Sequence, residues 1–155
     1  MNMLKVGDKA PDFSVLDEMS NTVDSKSLKG TAYILFFYPR ANTPGCTAEA
    51  CSLRDGYEVL SEKGYRIFGV SEDTPKKQLA FKEKYNFQYP LLADTDHEII
   101  DKYGVWGPKK FMGKEFMGQI RSTFVISNNK IIKEWKNVRV KDHAKEVLDF
   151  IKSQK

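Results

Sequence analysis

The segment Thr31-Ala32-Tyr33-Ile34-Leu35-Phe36-Phe37-Tyr38 contains the longest apolar stretch of this chain. Its side chains are β-branched, aromatic or aliphatic without polar alternation, a pattern that predicts a strand covered on both faces, as in α/β sheets. Pro39 ends the strand, because proline has no N–H group to donate to a neighbouring strand. The chain is therefore expected to be built around a buried central strand.

Helix and strand patterns alternate downstream of this strand. Residues 46–63 carry apolar side chains at helical spacing, and Gly64 stands where a C-terminal cap belongs. Residues 65–71 predict a second buried strand, and residues 74–85 open with a Thr-Pro pair that starts a helix. Together these elements predict a βαβα unit with a right-handed crossover.

The remaining elements are shorter. Residues 12–16 and 21–23 flank a polar turn and predict an N-terminal β-hairpin. Residues 106–118, with three glycines, a proline and four lysines or glutamates, are expected to form an irregular loop. The other predicted elements are a strand over 90–94, a helix over 97–103, an antiparallel hairpin over 122–126 and 130–135, and a closing amphipathic helix carrying Ala144, Val147, Leu148 and Ile151.

These elements amount to an α/β fold, in which a central mixed β-sheet is flanked by helices and extended by an N-terminal β-hairpin. A chain of 155 residues, 41% hydrophobic and 30% charged, suits one globular domain over residues 1–155. The longest apolar stretch, 32–38, is far shorter than the about 20 residues that span a membrane. The net charge of +4 is spread along the chain, which argues against nucleic-acid binding. The N-terminus lacks a secretory pattern, so the cytosol is the expected compartment.

Cys46 occupies a position that favours reactivity. It lies at the start of the predicted helix, after the Thr43-Pro44-Gly45 turn, where free N–H groups and the positive end of the helix dipole favour an anion. A reactive thiolate is therefore expected, and the Thr43 hydroxyl can cap the helix or donate to the sulfur.

Cys51, the second of the two cysteines, follows five residues later. On an ideal helix this spacing separates the Cα atoms by roughly 8 to 9 Å, whereas a disulfide needs about 4.4 to 6.8 Å. A bond between Cys46 and Cys51 would thus require the first turns of the helix to unwind. Taken alone, Cys51 is more often a small buried apolar residue than a reactive one.

The run from Phe37 to Cys51 closely resembles the active-site segment of the peroxiredoxins. Its Pro-x-x-x-Thr-x-x-Cys pattern, Pro39 to Cys46, is complete, and a second cysteine five residues later is typical of the peroxiredoxin Q group, also called bacterioferritin comigratory protein. Similar segments are found at 6–13, 103–106, 110–113 and 121–124, so the resemblance covers essentially the whole chain. It departs only at residues 41–42, where family members commonly carry charged side chains.

The resemblance implies a thioredoxin-like fold and a thiol-dependent peroxidase without metal or other cofactor. Cys46 would attack a hydroperoxide and become a sulfenic acid, and Cys51 would resolve it as an intramolecular disulfide. Thr43 and Arg121 would donate hydrogen bonds to the peroxide, and Pro39 would shield the sulfur from water. A thioredoxin-like reductant would restore both thiols, and the group is frequently monomeric.

Several alternatives stay open on the sequence alone. A protein thiol–disulfide oxidoreductase is disfavoured by the absence of Cys-x-x-Cys, and a redox-responsive binding protein or holdase is a third possibility. Without the resemblance, Arg121 is a solvated arginine at a strand end. His97 and His143 are expected on the surface rather than at a metal site. The favoured interpretation of the apolar residues of 106–118 is that they pack under a loop. Alternatively, they form a wall beside the peroxide or a docking surface for the reductant. The charged face of the last helix is expected to be solvated.

Overall fold

A computed structural model describes residues 4–42, 44–136 and 143–154, without the side chains of 44–45 and 110–111. Within these ranges the chain forms nine strands, five α-helices and a short 3-10 helix. The strands are β1 Ser14–Asp17, β2 Thr22–Asp24, β3 Ala32–Phe37, β4 Tyr65–Ser71, β5 Leu91–Ala93, β6 Trp106–Phe111, β7 Lys114–Gln119, β8 Ser122–Ser127 and β9 Lys130–Trp135. The helices are α1 Pro44–Asp55, α2 Tyr57–Glu62, α3 Pro75–Tyr85, α4 Glu98–Tyr103 and α5 His143–Ser153, with the 3-10 helix at Ser25–Leu28.

Seven of these strands form one mixed sheet in the order β2-β1-β5-β4-β3-β8-β9. Strands β3, β4 and β5 run parallel, whereas β8 runs antiparallel to β3 and pairs Ser122 with Phe37. The start of β8 therefore meets the end of β3 at one edge of the sheet. The N-terminal β1–β2 hairpin extends the sheet by pairing β1 with β5.

The central strand β3 divides the core into two halves, because successive side chains of a strand point to opposite faces. Tyr33, Leu35 and Phe37 pack on one face together with helix α4. Ile34, Phe36 and Tyr38 pack on the other face, against the other four helices. All six side chains are buried, which confirms the predicted two-sided burial of this segment.

The structure confirms most of the predicted elements, including both early hairpin strands, the crossover strands, helix α3 behind its Thr74 cap and the closing helix. The C-terminal hairpin is present, with a turn at two residues of positive φ, Asn128 and Asn129. Lys145, Glu146 and Lys152 of α5 are exposed, as expected for its charged face. Lys141 lies outside the described residues.

Helix is confirmed over most of 46–63, but it is interrupted at Gly56, which divides it into α1 and α2. Gly56 has φ −92° and ψ 1°, which departs from helical geometry. The Leu148 side chain of α5 packs close against it, and an added Cβ would lie 3.0 Å from Leu148 Cδ1. A distant side chain thus occupies the position where the helix bends.

The irregular loop expected over 106–118 is wrong. Strands β6 and β7 form a separate antiparallel ribbon, joined by Met112 and Gly113, both of positive φ. Two residues of positive φ match the twist of a tight hairpin turn. Pro108 is accommodated because both strands of a two-stranded ribbon are edge strands.

None of the helices in the described part of the chain has the length and apolar character that crossing a membrane requires.

Candidate active site

Cys46 is the third residue of α1, just beyond the end of β3, and its side chain is almost completely buried. Arg121 lies immediately before β8. Because the start of β8 meets the end of β3, Arg121 comes to the same edge of the sheet as Cys46. Arg121 Nη2 donates a hydrogen bond to the Cys46 sulfur over 3.3 Å. Arg121 is therefore not the solvated arginine that its local sequence indicates.

The guanidinium of Arg121 bridges two groups on α1. While Nη2 contacts Cys46, Nη1 donates to Oε1 of Glu49 over 3.1 Å. Burial would lower the pKa of Arg121, but the charges and hydrogen bonds of Cys46 and Glu49 outweigh that effect and raise the pKa above its ordinary value. Two hydrogen bonds from one planar group fix its orientation, so Arg121 is held in place beside the sulfur.

Glu49 is not among the site residues predicted from the sequence. It lies one helical turn after Cys46, and residues three apart share a face of a helix, which was the available signal. Its side chain is 1% exposed, and burial raises its pKa from 4.5 to about 7 although the Arg121 charge acts in the opposite direction. The carboxyl group therefore changes charge near neutral pH, directly behind Arg121.

The expected surface position of His143 is wrong. His143 is the first residue of α5 and is buried on the same helical face as Val147 and Ile151, at intervals of four residues. Its Nε2 forms a 2.8 Å hydrogen bond with Thr123 Oγ1 and lies 3.8 Å from Glu49 Oε2. Burial, assisted by the charge of Arg121, lowers the pKa of His143 to about 4.

The loop before α1 is anchored to the neighbouring strand. The backbone N–H of Ala41 donates to Asp73 Oδ2 over 2.7 Å, and the same oxygen accepts from the Ser71 hydroxyl. Pro39, half-buried in this loop, lines the same groove as Cys46 and Arg121. Thr43 lies outside the described residues.

Cys51 lies on α1 in the same unbroken helix as Cys46, and both thiols are free. Its side chain is half-buried and packs against the core on the helix side of the sheet. Burial raises the pKa of Cys51, with a smaller lowering by Arg54 and a smaller increase from Asp55.

A groove of about 600 Å³ leads to Cys46 and Arg121, and the β6–β7 ribbon supplies one wall. Phe116 and Met117 line this wall and are 48% and 58% exposed. The favoured expectation of core packing is therefore wrong for these two side chains. They are consecutive residues of β7 and point to opposite faces of the ribbon, so neither face is covered at this position. The groove is lined by Pro39, Arg40, Cys46, Glu72, Trp106, Lys109, Phe116, Met117, Gly118, Gln119 and Arg121.

Glu49 and His143 give the stability of the fold opposite pH dependences. The raised pKa of Glu49 stabilises the native state below pH 4.5, and this contribution is lost as the pH rises through about 7. The lowered pKa of His143 stabilises it above pH 6.5, and this contribution is lost as the pH falls towards about 4. The two contributions largely cancel in mildly acidic solution.

We expect Glu49→Gln to make the protein sensitive to mild acid, because only the His143 contribution then remains. From about pH 7 to about pH 5 the variant should lose about 2 kcal/mol of unfolding free energy, while the wild type changes much less. Urea denaturation at both pH values measures this difference. Equal losses of unfolding free energy in the wild type and in Glu49→Gln would contradict the opposite pH dependences of Glu49 and His143.

Comparison with known proteins agrees with this geometry. Residues 6–135 match the model of the AhpC/TSA family. The chain is 44% identical to peroxiredoxin Bcp of Bacillus subtilis (strain 168) over 150 residues, which covers 96% of both proteins.

Two solved structures are also similar. Peroxidoxin BcpB of Mycobacterium tuberculosis superposes with a TM-score of 0.86 at 33% identity, over 99% of both chains. The bacterioferritin comigratory protein of Xanthomonas campestris, described for its alkyl peroxide reduction activity, superposes with a TM-score of 0.85 at 29% identity, over 91% of this chain and 90% of that one. These neighbours are peroxiredoxins of thioredoxin fold, the fold that the resemblance implied.

The family match covers most of the chain, and the relatives align with it over nearly their whole length. The chain therefore belongs to the AhpC/TSA family and, within it, to the peroxiredoxin Q or bacterioferritin comigratory protein group, and it is a peroxidase of the oxidoreductase class.

Proposed function

We propose that this peroxiredoxin reduces hydrogen peroxide and organic hydroperoxides, with Cys46 as the attacking thiolate. The observation that carries the proposal is the 3.3 Å hydrogen bond from Arg121 Nη2 to the Cys46 sulfur. A permanently charged guanidinium beside the sulfur attracts negative charge, and the thiolate is the form of cysteine that attacks. The position of Cys46 in the first turn of α1 adds the positive end of the helix dipole.

In the first step, sulfur forms a bond to one peroxide oxygen while the O–O bond breaks. Cys46 is oxidised to a sulfenic acid, and the other oxygen leaves as hydroxide or alkoxide and takes a proton to become water or an alcohol. Negative charge moves from sulfur to the leaving oxygen, so donors that tighten on that oxygen lower the barrier. Arg121 serves as one donor, and the resemblance assigns Thr43 as another and Pro39 as the shield against water.

The groove supports organic hydroperoxides as substrates alongside hydrogen peroxide. Phe116, Met117 and Trp106 line it and offer apolar surface next to Cys46. Burying an alkyl chain against such surface contributes about 0.8 kcal/mol for each methylene group. The alkyl peroxide reduction described for the Xanthomonas campestris relative points in the same direction.

In the second step, the Cys51 sulfur attacks the sulfenic sulfur of Cys46. The S–S bond forms, the S–O bond breaks, and the oxygen leaves as water after protonation. Since both residues lie on the intact helix α1, the first turns must unwind before the two sulfurs can meet. Unwinding also releases Cys46 from Arg121.

The disulfide is then reduced by a thioredoxin-like dithiol, which is itself oxidised to a disulfide. We propose that the protein works as a monomer in the cytosol, as one domain over residues 1–155. Neither nucleic acid nor a membrane takes part in this chemistry.

Stopped-flow oxidation by hydrogen peroxide tests the proposal. Trp106, which lines the groove, and Trp135, whose ring meets His143 edge-on, serve as fluorescent probes. The wild type should show a fast phase for sulfenic acid formation and a slower phase for disulfide formation. A wild-type protein that reacts no faster than an ordinary free thiol would contradict the proposal and would favour a redox-responsive binding role.

We expect Cys51→Ser to keep the fast phase and to lose the slower one, because no second thiol can reach the sulfenic acid. Turnover with thioredoxin should fall by roughly two orders of magnitude or more, and Cys46 should accumulate as sulfinic acid under excess peroxide, as mass spectrometry would show. Ser52→Ala, on the adjacent residue of α1, is the matched control and should retain both phases. Normal turnover in Cys51→Ser would exclude a resolving role for Cys51.

A further inference from the structure

Glu49 uses only one of its two carboxyl oxygens to hold Arg121. Oε1 accepts from Arg121, whereas Oε2 is buried and, among the described residues, has no hydrogen-bond partner. Leaving a buried polar atom unpaired is costly, so the group that faces it has a strong influence on the charge of the carboxyl. That group is His143, whose Nε2 lies 3.8 Å from Oε2.

The Nε2 atom of His143 lies near two oxygens. It is hydrogen-bonded to Thr123 Oγ1 over 2.8 Å, and it lies 3.8 Å from Glu49 Oε2, which is beyond hydrogen-bond distance but close enough for an electrostatic influence. The lowered pKa keeps the ring neutral at physiological pH, so Nε2 either carries the single ring proton or accepts one. An Nε2–H group would favour an ionised Glu49, and a bare Nε2 would favour a protonated one.

We propose that His143 is a positioning residue for the peroxidase reaction, which acts through Glu49: its Nε2–H group, hydrogen-bonded to Thr123 and 3.8 Å from Glu49 Oε2, electrostatically favours the ionised carboxylate that holds Arg121 against the Cys46 sulfur. The inference rests on the proposed roles of Cys46 and Arg121. It connects the last helix of the chain to the reacting sulfur through three consecutive contacts.

The charge state of Glu49 matters because a charged acceptor holds a guanidinium more strongly than a neutral one. As Glu49 ionises near neutral pH, Arg121 becomes more firmly oriented, and the rate constant for peroxide attack should increase. Titratable and charged groups approach this carboxyl from several elements: Cys46 on α1, Arg121 before β8, His143 on α5, Tyr89 before β5, and Lys109 of β6 beyond Arg121.

The test is the bimolecular rate constant for hydrogen peroxide, measured by stopped flow from about pH 5 to about pH 9. In the wild type we expect the rate constant to increase with pH, and part of this increase should follow the ionisation of Glu49. In Glu49→Gln this Glu49-dependent increase should disappear. His143→Leu removes the N–H donor near Glu49, so the Glu49-dependent increase in the rate constant should move to higher pH by about one unit. His143→Gln restores an N–H donor and should bring the profile back towards that of the wild type.

Thr123→Val provides a second variant of nearly unchanged shape, in case His143→Leu fails to fold. With the hydroxyl removed, Glu49 is the acceptor that remains near Nε2–H within the part of the chain that the structure describes, so the Glu49-dependent increase in rate should move to lower pH. An unchanged profile in Thr123→Val or in a folded His143→Leu would overturn the inference.

Ile151→Ala is the matched structural control, because Ile151 is buried on the same face of α5 but two turns away from His143. It should lower the melting temperature without moving the pH profile. If His143→Leu behaved in the same way, His143 would only fill space in the core. Cys46→Ser separates the proposed function from the role of His143. If Cys46→Ser still reacts with peroxide, the proposed function itself is overturned. If Cys46→Ser does not react but the pH profiles of the His143 and Thr123 variants are unchanged, only the role of His143 is overturned.

Discussion

Cys46→Ser is expected to abolish peroxide reduction, with a loss of at least about 10⁴-fold in the rate constant. Serine has nearly the shape of cysteine, so the hydrogen bond from Arg121 can be retained. Its hydroxyl, however, does not ionise at neutral pH and cannot supply the anion that attacks the O–O bond. The variant should therefore bind peroxide next to Arg121 without reacting.

Stopped flow with hydrogen peroxide and mass spectrometry of the products check this expectation. In the Cys51→Ser protein, treatment with peroxide and a sulfenic acid trap should label Cys46, and no label should appear in Cys46→Ser. Circular dichroism and the melting temperature show whether the variant keeps its fold. Peroxidase activity in a folded Cys46→Ser protein would mean that Cys51 or another group attacks the peroxide.

Arg121→Met is expected to have the second-largest effect, lowering the rate constant for peroxide by about 10²- to 10³-fold. Methionine fills much of the volume but donates to neither the Cys46 sulfur nor the Glu49 carboxyl. The transition state then loses a fixed positive charge at the place where negative charge moves from sulfur to oxygen. The rate constant of Arg121→Lys should lie between those of the wild type and Arg121→Met, because one ammonium group cannot bridge Cys46 and Glu49 with the geometry of a guanidinium.

Removal of Arg121 also leaves Glu49 buried without its partner, so stability and rate must be separated. The double variant Arg121→Met, Glu49→Gln should recover stability in urea denaturation, because no unpaired carboxyl remains, but its rate should stay low. Arg66→Met is the control for the loss of an arginine. Arg66 is exposed, and it lies opposite Tyr33 in the β3–β4 register, at the other end of β3 from Cys46. An undiminished rate in Arg121→Met would exclude its role in the reaction.

The elements that the sequence predicted correctly are those with strong local patterns. The run from Thr31 to Tyr38 is apolar on both faces and forms β3, and the Thr-Pro pair at 74–75 starts α3. The two errors have different causes. The helix over 46–63 is interrupted at Gly56, where the distant side chain of Leu148 packs. Residues 106–118 fold into a ribbon through a local tight turn at Met112 and Gly113, although their glycines, proline and charged residues are typical of an irregular loop.

The candidate site divides in the same way. Cys46 could be found from its position after a buried strand at the start of a helix, a local feature. Arg121 was identified only through the resemblance, Glu49 was missed, and His143 was expected on the surface. The pairing of β8 with β3 and the docking of α5 bring these groups together, and neither contact leaves a local pattern in the sequence.

Local patterns along the chain define the order of the main helices and strands and the position of Cys46 at the start of a helix, because these depend on residues close to one another in sequence. The side chains that surround the Cys46 sulfur are brought there by long-range contacts of the folded chain. Arg121 is 75 residues from Cys46 along the chain, and His143 is 20 residues from Thr123. Burial then changes the ionisation of Glu49 and His143, since the cost of removing a charge from water depends on what the folded chain places around it.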